Sequence, residues 1–127
     1  MNAAMTKKRI LIVDDEPGVR TILRRFFEIS GFNVVEAADG LEGFETANDV
    51  MPDCVILDME MPVMNGIDLC SYLKRTPRTR HIPVLFLTGE GRMGPTEDAL
   101  KQGADGYMTK PFDLLRLLKK IETFWAV

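Results

Sequence analysis

The chain is poor in the features that mark secreted, membrane and nucleic-acid-binding proteins. It has two cysteines, Cys54 and Cys70, in 127 residues. Neither stands at a metal-ligand spacing from another cysteine, which excludes a cysteine-ligated zinc site. With no secretory pattern at the amino terminus, the pair reads as reduced packing residues of a cytoplasmic protein, not a disulfide. The single histidine, His81, sits in a loop ahead of an apolar run and reads as a surface residue rather than a catalytic one. No basic tract is present, and 16 Lys and Arg against 19 Asp and Glu give a net charge of −3. That balance gives no support for nucleic-acid binding by this domain. The apolar runs fall far short of the ~20 residues that span a bilayer. Repeats, linkers and low-complexity segments are also missing. What remains, at 46% hydrophobic and 28% charged residues, has the composition of one soluble domain with a single core.

What the chain does contain is a series of short apolar runs, each ending in a polar residue. Ile10-Leu11-Ile12-Val13 runs into Asp14 and Asp15, and Cys54-Val55-Ile56-Leu57 into Asp58. Val84-Leu85-Phe86-Leu87 ends in Thr88, and Tyr107-Met108-Thr109 leads to Lys110, just before Pro111. Unbroken apolar runs suit strands covered on both faces. In an open parallel sheet the carboxyl ends of such strands form one edge, with a binding crevice beside it. Three carboxylates gathered there would repel by on the order of 4 kcal/mol per pair near 4 Å. A hard divalent cation with oxygen ligands relieves that repulsion, and Mg²⁺ is the usual choice where phosphate also binds. The pattern is that of a metal and phosphoryl site.

The intervening segments read as helices. Pro17 suits a first helical turn, and Val19, Ile22, Leu23, Phe26 and Phe27 form an amphipathic stripe that Gly31 ends. Strand one covers about Arg9 to Val13, and Val34-Val35 marks strand two. Leu41, Phe44 and Ala47 form the inner face of helix two. Strand three runs from about Asp53 to Asp58, and helix three begins near Asn65 or Gly66 and buries Ile67, Cys70 and Leu73. Pro83 to Thr88 is strand four. Gly89, Gly91, Gly94 and Pro95 leave the start of helix four loose, so it is expected from Thr96 onward. Ala104 to Met108 is strand five, and the last helix carries Leu114, Leu117, Leu118, Ile121 and Trp125. Five strands alternating with five helices predict a single doubly wound α/β domain, a (βα)5 sandwich with helices on both faces of a parallel sheet. Gly89-Glu90-Gly91-Arg92-Met93-Gly94 matches G-x-G-x-x-G, but it follows strand four, and the next strand ends in Lys110 instead of an acid. It is not a dinucleotide fingerprint.

Asp14-Asp15-Glu16, Asp58 with Met61-Pro62 and Gly66, Thr88, and Lys110-Pro111-Phe112 occur in this order, each at a strand end. In these residues, and from about Lys8 to Ala126, the chain resembles the receiver domain of the bacterial two-component response regulators. The resemblance implies the strand order 2-1-3-4-5 of the family's chemotaxis member. It implies that residues 1–127 are one receiver domain, with 1–7 as a short tail. Asp58 would be the phosphoryl acceptor, forming a mixed acid anhydride. Asp15 would be the main ligand of Mg²⁺, with Mn²⁺ as a substitute, and Asp14 would act through a coordinated water. Asp58, the backbone carbonyl of Met59 and a phosphoryl oxygen would complete the shell. Asp14 or Asp15 would in addition cap helix one. Lys110 would balance charge: three negative carboxylates face two charges from the metal and one from lysine. A cis peptide is implied between Lys110 and Pro111, where the cis penalty is small. Thr88 and Tyr107 would form the switch pair, the hydroxyl turning toward the phosphoryl group and the ring moving from solvent toward the core. Glu60 and Glu90 would flank the site mouth and weakly repel anionic donors.

The implied function is a phosphorylation-activated switch, not an enzyme beyond self-phosphorylation and slow self-dephosphorylation. Its donor would be a histidine kinase or a histidine phosphotransfer protein. Its output would be a downstream protein target or effector domain, reached through a surface of helix four, strand five and the last helix, which could also form a dimer. No membrane or direct nucleic-acid contact is expected. The last helix ends close to Val127, which favours a stand-alone regulator over a receiver excised from a longer chain. Two other readings compete. A phosphohydrolase of the haloacid dehalogenase type also uses Asp and Mg²⁺, but it carries D-x-D-x-T where this chain has Asp58-Met59-Glu60. A degenerate receiver acting as a fixed interaction module would lack site residues that are all present here.

Overall fold

The computed structural model describes residues 7–59, 61, 64–89 and 103–126. Glu60, Glu90, the helix expected from Thr96 and the glycine motif beyond Gly89 lie outside the described residues. Five parallel strands form one sheet: β1 (Arg9–Val13), β2 (Asn33–Ala37), β3 (Cys54–Asp58), β4 (Val84–Thr88) and β5 (Gly106–Thr109). Their order is β2-β1-β3-β4-β5, as expected. Among the described residues four helices accompany them: α1 (Pro17–Ile29), α2 (Gly40–Val50), α3 (Gly66–Arg75) and a C-terminal helix (Leu114–Thr123).

Side chains alternate along a strand, so the unbroken apolar runs feed two separate cores. Leu11, Val13, Val55, Leu57 and Phe86 face Ala47 of α2 and Leu69, Cys70 and Leu73 of α3. Ile10, Ile12, Ile56, Leu85 and Leu87 face Leu23 and Phe27 of α1 and Leu117 and Ile121 of the C-terminal helix. Each fully buried aliphatic side chain stabilises the fold by roughly 1.5–3 kcal/mol relative to exposure. The register is what matters for the site. Ile12 lies beside Glu36 on one flank and Ile56 on the other, and Thr88 lies beside Thr109. All the polar strand ends therefore finish on one edge.

The helix faces differ from expectation in two places. Ile22 is 59% exposed, although it belongs to the apolar stripe of α1. Leu23 and Phe27 face the sheet, and a residue one position before Leu23 is turned ~100° away from it. Leu41 is 54% exposed, because α2 approaches the sheet through small residues instead. A Cβ on Gly43 would lie 3.1 Å from Val13, and one on Gly40 would meet the Met64 carbonyl oxygen at 2.5 Å. Strand bounds also shift slightly. β5 starts at Gly106 instead of Ala104, and β3 at Cys54, while Asp53 accepts the Arg9 N–H at 2.8 Å through its carboxylate. Trp125 lies past the end of the C-terminal helix, where its indole N–H donates to the Asp53 carbonyl at 3.1 Å.

Candidate functional site

Asp14 continues the β1 ladder by one residue, its N–H donating to the Ala37 carbonyl at 3.1 Å. Its side chain is buried in the crevice, and Oδ1 accepts the Glu16 N–H at 2.9 Å. Glu16 occupies the N-cap position of α1 and makes no side-chain cap, and Pro17 opens the helix. Neither aspartate therefore caps α1, contrary to expectation: Asp14 shapes the turn ahead of it. Asp15 is exposed beside this turn. Asp58 closes β3 and is buried. Asp14, Asp15 and Asp58 each present a carboxylate oxygen, and the three atoms lie within 4.8 Å of one another.

Lys110 faces this cluster from the end of β5. Its backbone N–H donates to the Thr88 carbonyl at 2.7 Å, and the peptide to Pro111 is cis, as expected. Its Nζ stands 3.9 Å from both Asp14 Oδ2 and Asp58 Oδ1. Those separations are too long for hydrogen bonds, so lysine contributes charge without contact. Asp14 Oδ2 is buried and, among the described residues, has no hydrogen-bond partner. An oxygen in that condition costs roughly 1–3 kcal/mol or more unless something coordinates it. The electrostatics agree. Burial, then repulsion from Asp14 and more weakly from Asp15 and Glu16, pushes the Asp58 carboxyl up to about 7, with Lys110 opposing. Burial likewise raises Asp14, against the Glu16 N–H and Lys110. The pocket is short of positive charge and rich in hard oxygen donors, which fits Mg²⁺.

The loop after β3 is held close to this cluster. Met59 is buried, its N–H donates to the Leu87 carbonyl at 3.2 Å, and its own carbonyl accepts the Gly66 N–H at 3.1 Å. A carbonyl oxygen has a second lone pair, so that bond leaves Met59 able to ligate a cation. A Cβ at Gly66 would overlap the Asp58 carbonyl oxygen and lie 2.9 Å from the Met59 Cα. Gly66→Ala should therefore force the start of α3 away from Asp58. The expected destabilisation is about 1–3 kcal/mol, together with weaker Mg²⁺ binding. Thermal melting would check it, and a wild-type melting temperature would show that the close approach is not tight.

Thr88 is buried at the end of β4, where its hydroxyl donates to the Gly89 carbonyl at 3.0 Å. Tyr107 is 43% exposed on β5. It lies three residues before Lys110, about 10 Å back along the strand. The crevice thus gathers Asp14, Asp15, Asp58 and Lys110, with Thr88 on the adjoining strand end and Tyr107 at a distance.

Residues 10–122 match the response regulator receiver domain family. The chain belongs to that family. The DNA-binding dual master transcriptional regulator RpaA of Synechocystis is 38% identical over 113 residues, covering 89% of this chain and 47% of the relative. The chain spans about half the length of the curated relatives it matches. A putative response regulator from Chloroflexus aurantiacus superposes with a TM-score of 0.92 at 30% identity, over 96% of this chain and 100% of that one. The Vibrio cholerae chemotaxis protein CheY4 does so with a TM-score of 0.88 at 29% identity, over 94% and 99%.

As a receiver domain the chain is a signalling domain of two-component systems, implying phosphorylation-dependent signalling, and not a phosphohydrolase. Among the described residues no helix is long and apolar enough to cross a membrane. One contact escapes the sequence reading. Arg20 Nη1 donates to the Asp14 carbonyl at 2.6 Å, while its Nε donates to Glu36 at 3.0 Å. Arg20 lies three residues before Leu23 and seven before Phe27, on the sheet-facing side of α1, but a single arginine at that spacing carries no sequence sign of such a bond.

Proposed function

We propose that this receiver takes a phosphoryl group onto Asp58 in a Mg²⁺-dependent reaction, from a histidine kinase or a histidine phosphotransfer protein. One observation carries the reading: three carboxylates within 4.8 Å, one with a buried oxygen that no described residue hydrogen-bonds, face a lysine equidistant from two of them. Asp14, Asp15, Asp58 and the Met59 carbonyl would hold the ion, with Mn²⁺ able to replace Mg²⁺. When bound, it supplies positive charge that neutralises the carboxylates and the incoming phosphoryl oxygens.

An Asp58 carboxylate oxygen attacks phosphorus in line. The new P–O bond forms as the bond to the donor breaks, and the donor leaves with that electron pair, as the imidazole of a phosphohistidine or as acetate from acetyl phosphate. Lys110 balances the charge brought by the phosphoryl oxygens. The Thr88 hydroxyl then exchanges the Gly89 carbonyl for a phosphoryl oxygen. That movement opens room for the Tyr107 ring to turn inward and alters the surface of strand β5 and its neighbouring helices. Catalysis by the domain itself is limited to self-phosphorylation and slow self-dephosphorylation. The output goes to a protein target or effector domain. RpaA is DNA-binding by name, but here the net charge of −3 argues against direct nucleic-acid contact by the receiver. In this reading residues 1–127 form one cytoplasmic receiver domain with 1–7 as a tail, and β5 with its neighbouring helices is also the dimerisation surface.

Incubation with acetyl phosphate and Mg²⁺ should add one base-labile phosphoryl group by intact-mass measurement, and a chelator should prevent the addition. Labelling that ignores the chelator, or no labelling at any donor concentration, would overturn the proposal.

A further inference from the structure

We propose that Arg20 is a positioning residue for the acidic loop. It holds the Asp14–Asp15 peptide in the orientation that presents Asp15 to the cation, so it tunes metal affinity without touching the metal. The inference rests on the metal reading above and deepens it.

Arg20 lies at the end of the first turn of α1, where a cation opposes the helix dipole. Helix stability therefore does not account for its placement. Its side chain is only 16% exposed, which is low for an arginine that could reach solvent. Both ends of its guanidinium are used. Nη1 donates to the Asp14 carbonyl at 2.6 Å, and Nε donates to Glu36 Oε1 at 3.0 Å. Charge-assisted bonds of this kind are about twice as strong as neutral ones, and the planar fork sets direction as well as distance.

The accepting carbonyl belongs to the peptide whose nitrogen is that of Asp15. Peptide planarity means that fixing this oxygen fixes the plane from which the Asp15 backbone departs. The other side of Asp14 is already fixed, because its N–H donates to the Ala37 carbonyl at 3.1 Å. Glu36 and Ala37 are neighbours on β2, so both backbone groups of Asp14 are tied to the same strand end. Asp15, the exposed member of the cluster, depends most on this restraint, since packing does not hold its side chain.

Arg24 provides an internal comparison. It also bonds Glu36, and it bonds Glu28 and the Val34 carbonyl at 3.3 Å, but the acidic loop is not among those partners. Arg24→Gln removes ion pairs of the same network while sparing the Asp14 carbonyl. A merely structural ion pair predicts that the two arginines behave alike.

The test measures Mg²⁺ affinity by calorimetry and Glu16 amide exchange in metal-free protein. Arg20→Gln should weaken Mg²⁺ about tenfold, the usual lower bound for losing a group that orients a ligand. It should also speed Glu16 exchange without metal, because the turn in which that N–H donates to Asp14 Oδ1 loosens. Arg24→Gln should leave both nearly unchanged, and Arg20→Lys should restore part of the affinity. In an Asp15→Asn background, Arg20→Gln should cost little more. Equal effects of Arg20→Gln and Arg24→Gln, or an undiminished Arg20→Gln effect without the Asp15 carboxylate, would overturn the proposal. Wild-type protein that binds no Mg²⁺ would remove the metal reading, and this inference with it. Wild-type binding matched by Arg20→Gln would remove the inference alone.

Discussion

Asp58→Asn should reduce phosphoryl incorporation to background while leaving the fold intact. Asparagine keeps the shape of the side chain, and the surrounding contacts of β3 are apolar and backbone in character. What it lacks is the anionic oxygen that attacks phosphorus, and an amide is too poor a nucleophile to replace it. Asp14 and Asp15 are the nearest substitutes, but their places in the turn before α1 commit them elsewhere. Asp14 already accepts the Glu16 N–H. The expected pattern in acetyl phosphate with Mg²⁺ is one phosphoryl group on wild type and none on Asp58→Asn, read by intact mass. Asp14→Asn and Asp15→Asn should label slowly, because they keep the nucleophile and weaken the metal. Equal labelling of Asp58→Asn and wild type would place the acceptor on another residue and remove the central assignment.

The sheet is legible in the sequence wherever a strand is covered on both faces, because there the apolar run is unbroken. β1, β3 and β4 are of this kind, and the polar residues that end them are enough to mark the crevice. β2 is less legible. It lies at the sheet edge and carries Glu36 within the strand, so only Val34-Val35 signals it. α2 misleads for a different reason. Its contact face is Gly40, Gly43 and Ala47, and a reading by size selects the exposed Leu41. The site residues are legible as a set because chemistry restricts which side chains can end those strands together. Their division of labour is not. Adjacent aspartates in a turn present the same letters, yet Asp14 is buried and Asp15 exposed. Arg20 and Glu36 are illegible in principle, since their contact exists only once α1 packs beside β2.

The metal-free protein should be most stable at mildly acidic pH and lose stability as the pH rises through neutrality. The Asp58 carboxyl stands at about 7 in the folded protein against 3.8 as its ordinary value. The folded state thus holds the Asp58 proton more tightly than the unfolded chain does. The resulting stabilisation is fully present below the ordinary value and is lost as the pH climbs through about 7. Asp14 is raised for the same leading reason and acts in the same direction. Glu36 is lowered, first by its hydrogen bond from Arg24, so its contribution has the opposite sign but fades only in more acidic solution. Between about pH 5.5 and 8 the aspartates therefore dominate, and a one-proton difference over the first ~1.5 pH units is worth about 2 kcal/mol. For a chain of this length that corresponds to a fall in melting temperature on the order of 6–10 °C. Asp58→Asn should flatten most of this slope and melt higher than wild type at the alkaline end. Mg²⁺ should reverse the trend, because it binds the ionised carboxylates of the folded state alone, so its stabilisation grows with pH. Melting curves of both proteins at the two pH values, with and without Mg²⁺, would decide the matter. A wild-type melting temperature independent of pH, or a slope that survives in Asp58→Asn, would show that the buried cluster is not where the proton is held.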